Sequence, residues 1–288
     1  MRERALHEFE AVFERASIPV LDIQEIALAR ISVVLTGSPL DPSMVKLASH
    51  LKDRFKAEVQ VHWSAGGDRA LEDARGSGMQ PVDAPFNSTA ELVGQIGIGR
   101  SRLVLHPDPA DEADRTVGVD HLVVGTQPPI LLIRQPIDDP GPVFQNVLHS
   151  LTGNFQQTAN FAYSFTLVAE SGSLILLHTI DAGDLLDVRE ALQVAPGIEA
   201  DEERELLDRM THHGERYLKG VAQAARDKPY EVRYRLSVGD VITTVRNALA
   251  QESYGLLVVG RHTDGHSRID AADYQLMHMV RDIPVLAL

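Results

Sequence analysis

The feature that most constrains the fold is an internal match between the two halves of the chain. The tripeptide Leu-Thr-Gly occurs at residues 35–37 and again at residues 151–153, an offset of 116 positions (152 − 36). A histidine closes an apolar run at His62 and again at His178, at the same offset (178 − 62). Two independent matches at one offset indicate that the chain contains the same folding unit twice.

A third match, near the ends of the two copies, has a larger offset. "PPILLI" at residues 128–133 resembles "IPVLAL" at residues 283–288, an offset of 155 (284 − 129). The growth in offset, 155 − 116 = 39, places about 39 extra residues in the second copy, after its second strand. Apolar residues at helical spacing predict that the insertion is mostly one helix over residues 201–226, without a counterpart in the first copy. The glycine-rich stretch 66–86 predicts a shortened element or a loose loop, which we expect to open first because few apolar residues anchor it.

Between these landmarks, short apolar runs alternate with amphipathic segments. "ISVVL" (31–35) and "LLVVG" (256–260) are typical buried strands. Strands separated by helices predict a parallel sheet with both faces covered. The prolines of "RQPIDDPGP" mark a linker between the copies. We therefore predict an N-terminal helical extension over residues 1–29, a first, reduced domain over 30–136 and a second domain over 137–288.

Composition excludes several classes of protein. The chain has 27 basic and 41 acidic residues, a net charge of −14, and no run of basic residues, so we expect no binding to nucleic acid or to membrane surfaces. It contains no cysteine, which excludes disulfides and thiol chemistry. No apolar run approaches the roughly 18 residues that a membrane-spanning helix needs. Together these features predict a cytoplasmic protein.

Several motifs follow one another in a characteristic order along the chain. The first strand leads into "TGS" or "TGN", "LSVGD" (236–240) joins a strand to a helix, and "LLVVGRH" precedes the terminal "IPVLAL". With these motifs, residues 30–288 resemble a tandem universal stress protein. The resemblance implies an α/β fold of two doubly wound parallel five-stranded sheets, each with strand order 3-2-1-4-5, which meet through their last strands as an internal pseudo-dimer. A single continuous mixed sheet would contradict this interpretation.

The resemblance also locates a ligand site, beyond the carboxyl ends of the first and fourth strands. Nucleotide-binding members of the family have an aspartate after the first strand, where this chain has Thr36 and Thr152. After the fourth strand they have Gly-x-x-Gly and, nine residues later, Gly-Ser or Gly-Thr, because glycines let backbone amides approach phosphate. The second copy keeps Gly260, has Thr263 in place of the next glycine, and lacks the later pair.

Other residues weaken the match further. Asp264, Asp270 and Asp273 put negative charge where phosphates would lie in the second copy. In the first copy, His106 and Pro109 take the two glycine positions, and proline has no N–H to donate. We expect ATP binding to be absent from the first copy, and in the second to be weak or replaced by a different ligand.

The candidate ligand site is therefore in the second copy. Its residues are Thr152, Gly153, His178, Gly239, Gly260, Arg261, His262 and Gly265. The alternative for Gly260 is a turn without ligand contact, and for His178 a packed position at a strand end. "HTDGH" (262–266) lacks a second cluster of ligands, so we predict no metal site. No serine has a recognisable base partner, so we predict no catalytic residue.

The segment before the first strand lies outside the resemblance. Leu6, Phe9, Val12 and Phe13 share one face of a predicted helix, which Pro19 ends. This helix is expected either to pack on its own domain or to bind a partner.

Two functions remain open. The first is a non-enzymatic stress-response or regulatory module with degenerate nucleotide-binding loops and no cofactor, which binds a protein partner or self-associates, for example as a homo-dimer. The second is a protein that binds ATP or another adenine nucleotide in the second domain alone, with or without slow hydrolysis. The glycine pattern favours the first.

Overall fold

A ten-stranded sheet forms the centre of the molecule. The computed structural model describes residues 23, 25–109, 117–152, 158–181, 200–260 and 271–288. The strands of these segments lie in the order β3-β2-β1-β4-β5-β10-β9-β6-β7-β8. The first half of the sheet contains β1 to β5 and the second half contains β6 to β10. Each half has the predicted order 3-2-1-4-5 and is parallel throughout.

Helices follow most of the strands, as the alternating pattern predicts. The first half consists of β1 (Arg30–Leu35), α1 (Asp41–Phe55), β2 (Glu58–Trp63), α2 (Asp68–Gly76), β3 (Gln80–Pro81), α3 (Thr89–Gly99), β4 (Leu103–Pro107), α4 (Val119–Gly125) and β5 (Ile130–Ile133). A short 3-10 helix (Gly141–Phe144) leads into the second half, which consists of β6 (Asn146–Leu151), α5 (Thr158–Leu167), β7 (Ser173–Ile180), α6 (Ala200–Ala224), β8 (Glu231–Val238), α7 (Val241–Gln251), β9 (Leu256–Val259), α8 (Ala271–Met279) and β10 (Val285–Ala287).

The helices bury the sheet on both faces. α1, α2, α5 and α6 supply apolar side chains to the core on one face, and α3, α4, α7 and α8 supply those on the other. The central strands β4, β5, β9 and β10 are buried along their whole length. Burial on both faces explains why these strands are continuous apolar runs in the sequence, without the alternation of a half-exposed strand.

The two halves meet through their last strands, as predicted. β5 and β10 are antiparallel, and Leu131 is paired with Leu286 at the middle of the junction. The sheet is therefore continuous and mixed. The expectation that such a sheet would exclude two copies of one domain is wrong, because two parallel half-sheets related by a twofold axis through the junction must be antiparallel to each other there. The predicted fold class is confirmed.

Strand register tests the offset of 116 residue by residue. β4 pairs Leu103 with Ile31, and β9 pairs Leu256 with Val147, which is 116 positions after Ile31. The match between β1 and β6 is therefore confirmed. The histidine match is wrong by one residue, because β6 pairs Leu151, not Ser150, with His178, whereas β1 pairs Val34 with His62. Successive strand residues face opposite sides, so the two histidines lie on opposite faces of the sheet.

The predicted long helix exists, and α6 has 25 residues. Its counterpart in the first half is the 9-residue α2, so the expected shortened element is confirmed and the expected absence of any counterpart is wrong. The stretch 66–86 is also better anchored than its glycines suggest, since Leu71 and Ala74 on α2 and the side chain of Phe86 are buried. The premise that few apolar residues hold this stretch is wrong.

Polar side chains join the halves around the β5–β10 junction. Arg54 of α1 donates hydrogen bonds to the backbone carbonyls at the end of α5, at 2.7 Å from the oxygen of Leu167 and 2.5 Å from that of Val168. Beside β5, the buried Arg134 donates from Nε to Oδ2 of Asp108 at 2.8 Å and from Nη1 to the carbonyl of Val280. The first half is thus bound to the second by charged groups as well as by the sheet.

The predicted N-terminal helix, with Leu6, Phe9, Val12, Phe13 and Pro19, falls outside the described residues. Within the part of the chain that the structure does describe, no helix is long and apolar enough to cross a membrane.

Candidate functional site

The candidate site lies at the carboxyl end of the second half-sheet. In the sheet, β6 lies between β7 and β9. The connection that follows β6 therefore runs to one side, and the connection that follows β9 runs to the other. In open α/β sheets, such a reversal of strand order leaves a crevice in which ligands bind. Thr152 follows β6 here and Gly260 follows β9.

A buried carboxylate fills the space between these two strand ends. Thr152 donates a hydrogen bond from Oγ1 to Oδ2 of Asp273, at 2.6 Å. Asp273 lies in the first turn of α8, where the helix dipole favours negative charge, and its side chain is fully buried. A Cβ added to Gly260 would lie 3.0 Å from the same Oδ2. Glycine at position 260 therefore leaves room for the chain's own carboxylate.

His178 is buried on the opposite face of the sheet from this carboxylate. Its Nδ1 lies 3.1 Å from the carbonyl oxygen of Leu151, and burial lowers the pKa of the imidazole to about 4. Neutral at physiological pH, the ring offers no positive charge to a phosphate. This geometry is that of a packed residue at a strand end.

Gly239 lies at the end of β8, two strands away from β6. Its φ of 142° favours glycine, and a Cβ there would meet open space. The next residue, Asp240, accepts a hydrogen bond from the backbone N–H of Thr243 at 2.7 Å and so caps α7. A structural role explains this pair of residues without a ligand.

The remaining predicted residues, Gly153, Arg261, His262 and Gly265, lie outside the described residues, as does Thr263. Of the predicted set, the structure brings together Thr152 and Gly260, and it adds Asp273 between them.

The equivalent loop of the first half is also occupied by a carboxylate. Asp41 is buried at the start of α1 and accepts hydrogen bonds from the backbone N–H groups of Thr36, at 3.2 Å, and Gly37, at 2.8 Å. Desolvation raises the pKa of this carboxyl to about 6, against the effect of the two hydrogen bonds. Gly37 has φ of 82°, and a Cβ there would lie 2.7 Å from the carbonyl oxygen of Gly66, so the loop is tightly packed.

Strand register corrects the sequence alignment at the end of β4. β5 pairs Ile133 with Pro107, the position that corresponds to Gly260 in the second half, so the assignment of His106 and Pro109 to the glycine positions is wrong by one residue at β4. The physical conclusion holds, because Pro107 also lacks an N–H group. The buried Asp108 follows, bound to Arg134 at 2.8 Å.

Sequence reasoning placed the negative charge of Asp273 near this site, but it missed Asp41 and the contact between Asp273 and Thr152. Asp41 precedes Pro42 at the start of a helix, which is a pattern that favours a carboxylate in the first turn, and it could have been noticed. The pairing of Asp273 with Thr152 joins residues 121 positions apart and has no local signal.

Comparison with solved structures identifies the fold. A universal stress protein from Archaeoglobus fulgidus DSM 4304 superposes on 89% of this chain and 95% of its own, with a TM-score of 0.53 and 11% sequence identity. The fold is that of a universal stress protein. Hypothetical proteins MJ0577 and PH0823 match 51% and 50% of the chain, at 15% and 19% identity and TM-scores of 0.41 and 0.38. No protein-family model and no curated protein sequence matches the chain.

Proposed function

We propose that the chain is a tandem universal stress-type protein that acts in the cytoplasm as a non-enzymatic regulatory module, through protein contacts. Its domains would comprise residues 30–136 and 137–288, preceded by the extension 1–29. In this proposal both nucleotide loops are degenerate, because a carboxylate of the chain itself occupies each one.

The contact between Thr152, Gly260 and Asp273 carries the proposal for the second domain. A bound phosphate would have to approach Gly260. That space is taken by Asp273, since even a Cβ added to Gly260 would lie 3.0 Å from its Oδ2. Two unit negative charges 4 Å apart repel each other by on the order of 4 kcal/mol at the effective dielectric constant of a protein site. A repulsion of that size would weaken nucleotide binding by roughly a thousandfold.

The first domain supports the same conclusion with different residues. The backbone N–H groups of Thr36 and Gly37, which a ligand could use, are hydrogen-bonded to Asp41. At the end of β4, Pro107 has no N–H group to donate to a phosphate.

The absence of an enzymatic activity is part of the proposal. The four buried histidines, His62, His106, His149 and His178, have pKa values that desolvation lowers, so at neutral pH they are uncharged packed groups. In the segments that the structure describes, no group of three histidine, aspartate or glutamate side chains could hold a metal ion. These observations support a binding module over a hydrolase.

The alternative function is adenine-nucleotide binding by the second domain. It is favoured by Gly260, which ends β9 as in the nucleotide-binding members that this chain resembles, and by the start of α8 nearby. The two functions differ in what Asp273 does: it excludes phosphate in the first, and must move away in the second.

Calorimetric titration with ATP and Mg²⁺ separates these functions. We expect no micromolar binding by the wild-type chain, and a gain of tenfold or more in affinity when Asp273→Asn removes the charge but keeps an acceptor for Thr152. Asp240→Asn, which removes an exposed carboxylate at the start of α7, is the matched control and should change nothing. Micromolar binding by the wild type, abolished by Gly260→Val, would overturn the proposal and establish the alternative.

A further inference from the structure

A basic groove lies at the amino ends of β1, β2 and β4, at the opposite end of the first half-sheet from its ligand loops. Its volume is about 650 Å³. Four of its lining residues are cationic: Arg30, Lys56, Arg100 and Arg102. This is unexpected in a chain with a net charge of −14. The four residues are far apart in sequence and form no basic run.

Three of these cations have no acidic partner among the residues that the structure describes. The groove contains two carboxylates, and both are engaged: Glu58 with Arg30 at 3.0 Å, and Glu25 with Lys228 at 2.6 Å. The side chains of Lys56, Arg100 and Arg102 are exposed, and among the described residues no carboxylate forms an ion pair with them. Positive charge is therefore available to a ligand.

The second half shows that the fold does not require this charge. The backbone N–H of Arg102 donates to the carbonyl of Arg30, and at the same place in the second half Gly255 donates to Asn146. The N–H groups of Glu58 and Ser173 donate to the carbonyls of Ala29 and Gln145 in the same way.

Counting from these anchors identifies each cation's counterpart. Asn146, Ser171, Ser253 and Gly255 take the places of Arg30, Lys56, Arg100 and Arg102 respectively. Each of the four positions is cationic in the first half and neutral in the second. The groove at that end of the second half measures about 460 Å³ and includes Asn146 and Ser171. It also contains Lys228 and Arg233, but both are paired with carboxylates, Lys228 with Glu25 and Arg233 with Glu231.

Two of the cations also occupy unfavourable backbone conformations. Lys56 ends α1 with φ of 54°, and Arg100 ends α3 with φ of 51°. Glycine is the usual residue in this left-handed position, because a Cβ is strained there. Both positions instead have a long charged side chain on the rim of one groove. A requirement for positive charge in the groove explains why neither position is glycine.

We propose that this groove binds a small organic anion that has a phosphate group and an apolar body. Lys56, Arg100 and Arg102 provide charge for a phosphate dianion, which guanidinium groups bind well. Ile26 and Phe55, both half-buried, provide apolar surface for the body. The volume is that of a small-molecule site, and the acidic remainder of the protein repels extended polyanions such as nucleic acid or an anionic membrane. The inference does not depend on the proposed function, since it concerns a different site.

The experiment is a titration of the ¹⁵N-labelled full chain, followed by NMR, with phenyl phosphate as the probe. We expect shifts at residues 27–30, 56–58 and 100–102, and none at residues 171–173 and 253–255. Inorganic phosphate should bind at least tenfold more weakly because it has no apolar body. Each cation removed should weaken binding about tenfold, the typical effect of losing a hydrogen bond to a charged group.

Matched variants separate charge from folding. Lys56→Gly with Arg100→Gly removes two charges and relieves both left-handed conformations, so this variant should fold with undiminished stability and bind about a hundredfold more weakly. Arg204→Ser with Lys219→Ser removes two exposed charges from α6 and should bind as the wild type does. Equal loss in both variants, equal affinity for inorganic phosphate, shifts in the second groove, or binding confined to phosphatidylglycerol vesicles would each overturn the proposal.

Discussion

Leu131 of β5 is paired with Leu286 of β10, and this pair lies on the pseudo-twofold axis of the sheet. The pairs on either side, Leu132 with Val285 and Ile130 with Ala287, exchange places under the twofold operation. The backbone of the junction is thus symmetric to the residue. Charged side chains also cross it, since Arg54, Asp108 and Asp120 of the first half each bind groups of the second.

Arg54→Met should destabilise the protein by about 2–4 kcal/mol. The guanidinium donates to the last carbonyls of α5, including that of Thr166 at 3.2 Å, and a hydrogen bond that involves a charged group contributes about 1.5–3 kcal/mol. Urea unfolding measures the change. The control is Arg226→Met at an exposed position, which should stay within about 0.5 kcal/mol. If both variants change the unfolding free energy by a similar small amount, the hydrogen bonds from Arg54 to α5 contribute little to stability.

Arg134→Met should cost about 3–5 kcal/mol, because it leaves the buried carboxylate of Asp108 with the more exposed Arg281 as its cationic partner. Adding Asp108→Leu should recover much of the loss, since the buried carboxylate is then absent. Unfolding free energies of the wild type, the two single variants and the double variant form a double-mutant cycle. A double variant as unstable as the sum of the singles would contradict this account.

Thr152→Val should destabilise the protein by about 1.5–3 kcal/mol, because it removes the hydroxyl that donates to the buried carboxylate of Asp273. Thr152→Ser keeps the hydroxyl and should recover most of that stability. The comparison of the two midpoints in urea is the measurement. If serine and valine have the same effect, the hydrogen bond is not what stabilises this end of the sheet.

Stability should fall as the pH is lowered from about 6.5 towards 4. Burial lowers the pKa of His149 to about 3, and those of His106 and His178 to about 4. In this range the unfolded chain takes up protons at these sites that the folded chain does not, so each site reduces stability by roughly 1.4 kcal/mol per pH unit. Asp41 acts in the opposite direction, because its pKa is raised to about 6 and the folded state is protonated first.

The Asp41→Asn variant isolates that opposing contribution. It removes the one group of these four that stabilises the fold on acidification, so the loss of unfolding free energy between pH 6 and pH 5 should be steeper by roughly 1.4 kcal/mol per unit. Unfolding curves at pH 7, 6 and 5 for both proteins provide the test. Parallel pH dependences would contradict the raised pKa of Asp41.

The strands themselves were predictable because buried parallel strands are visible as continuous apolar runs. Their order and the meeting of the last strands were implied by the resemblance to tandem universal stress proteins. It failed where one residue of register matters. His62 and His178 looked equivalent but face opposite sides, and Pro107, not His106, corresponds to Gly260. These errors arise because a strand places successive side chains on opposite faces, so a shift of one residue reverses the interpretation.

The residues that form the candidate site and the basic groove were even harder to predict from the sequence. Asp273 meets Thr152 through a tertiary contact, and the basic groove gathers single residues from positions 30, 56, 100 and 102. No window of neighbouring residues contains either arrangement. Composition gave a net charge of −14 and the sequence has no run of basic residues, whereas the fold brings four cationic residues together in one groove.

The antiparallel junction of β5 and β10 has a consequence for the behaviour of the protein on dilution. When two separate chains form such a sheet, mass action dissociates them as their concentration falls. Here the partners are tethered by the short stretch between Ile133 and Asn146, and their effective concentration is set by the tether, in the millimolar range typical of short linkers. The ten-stranded sheet therefore persists at any protein concentration, and its assembly cannot be regulated by expression level.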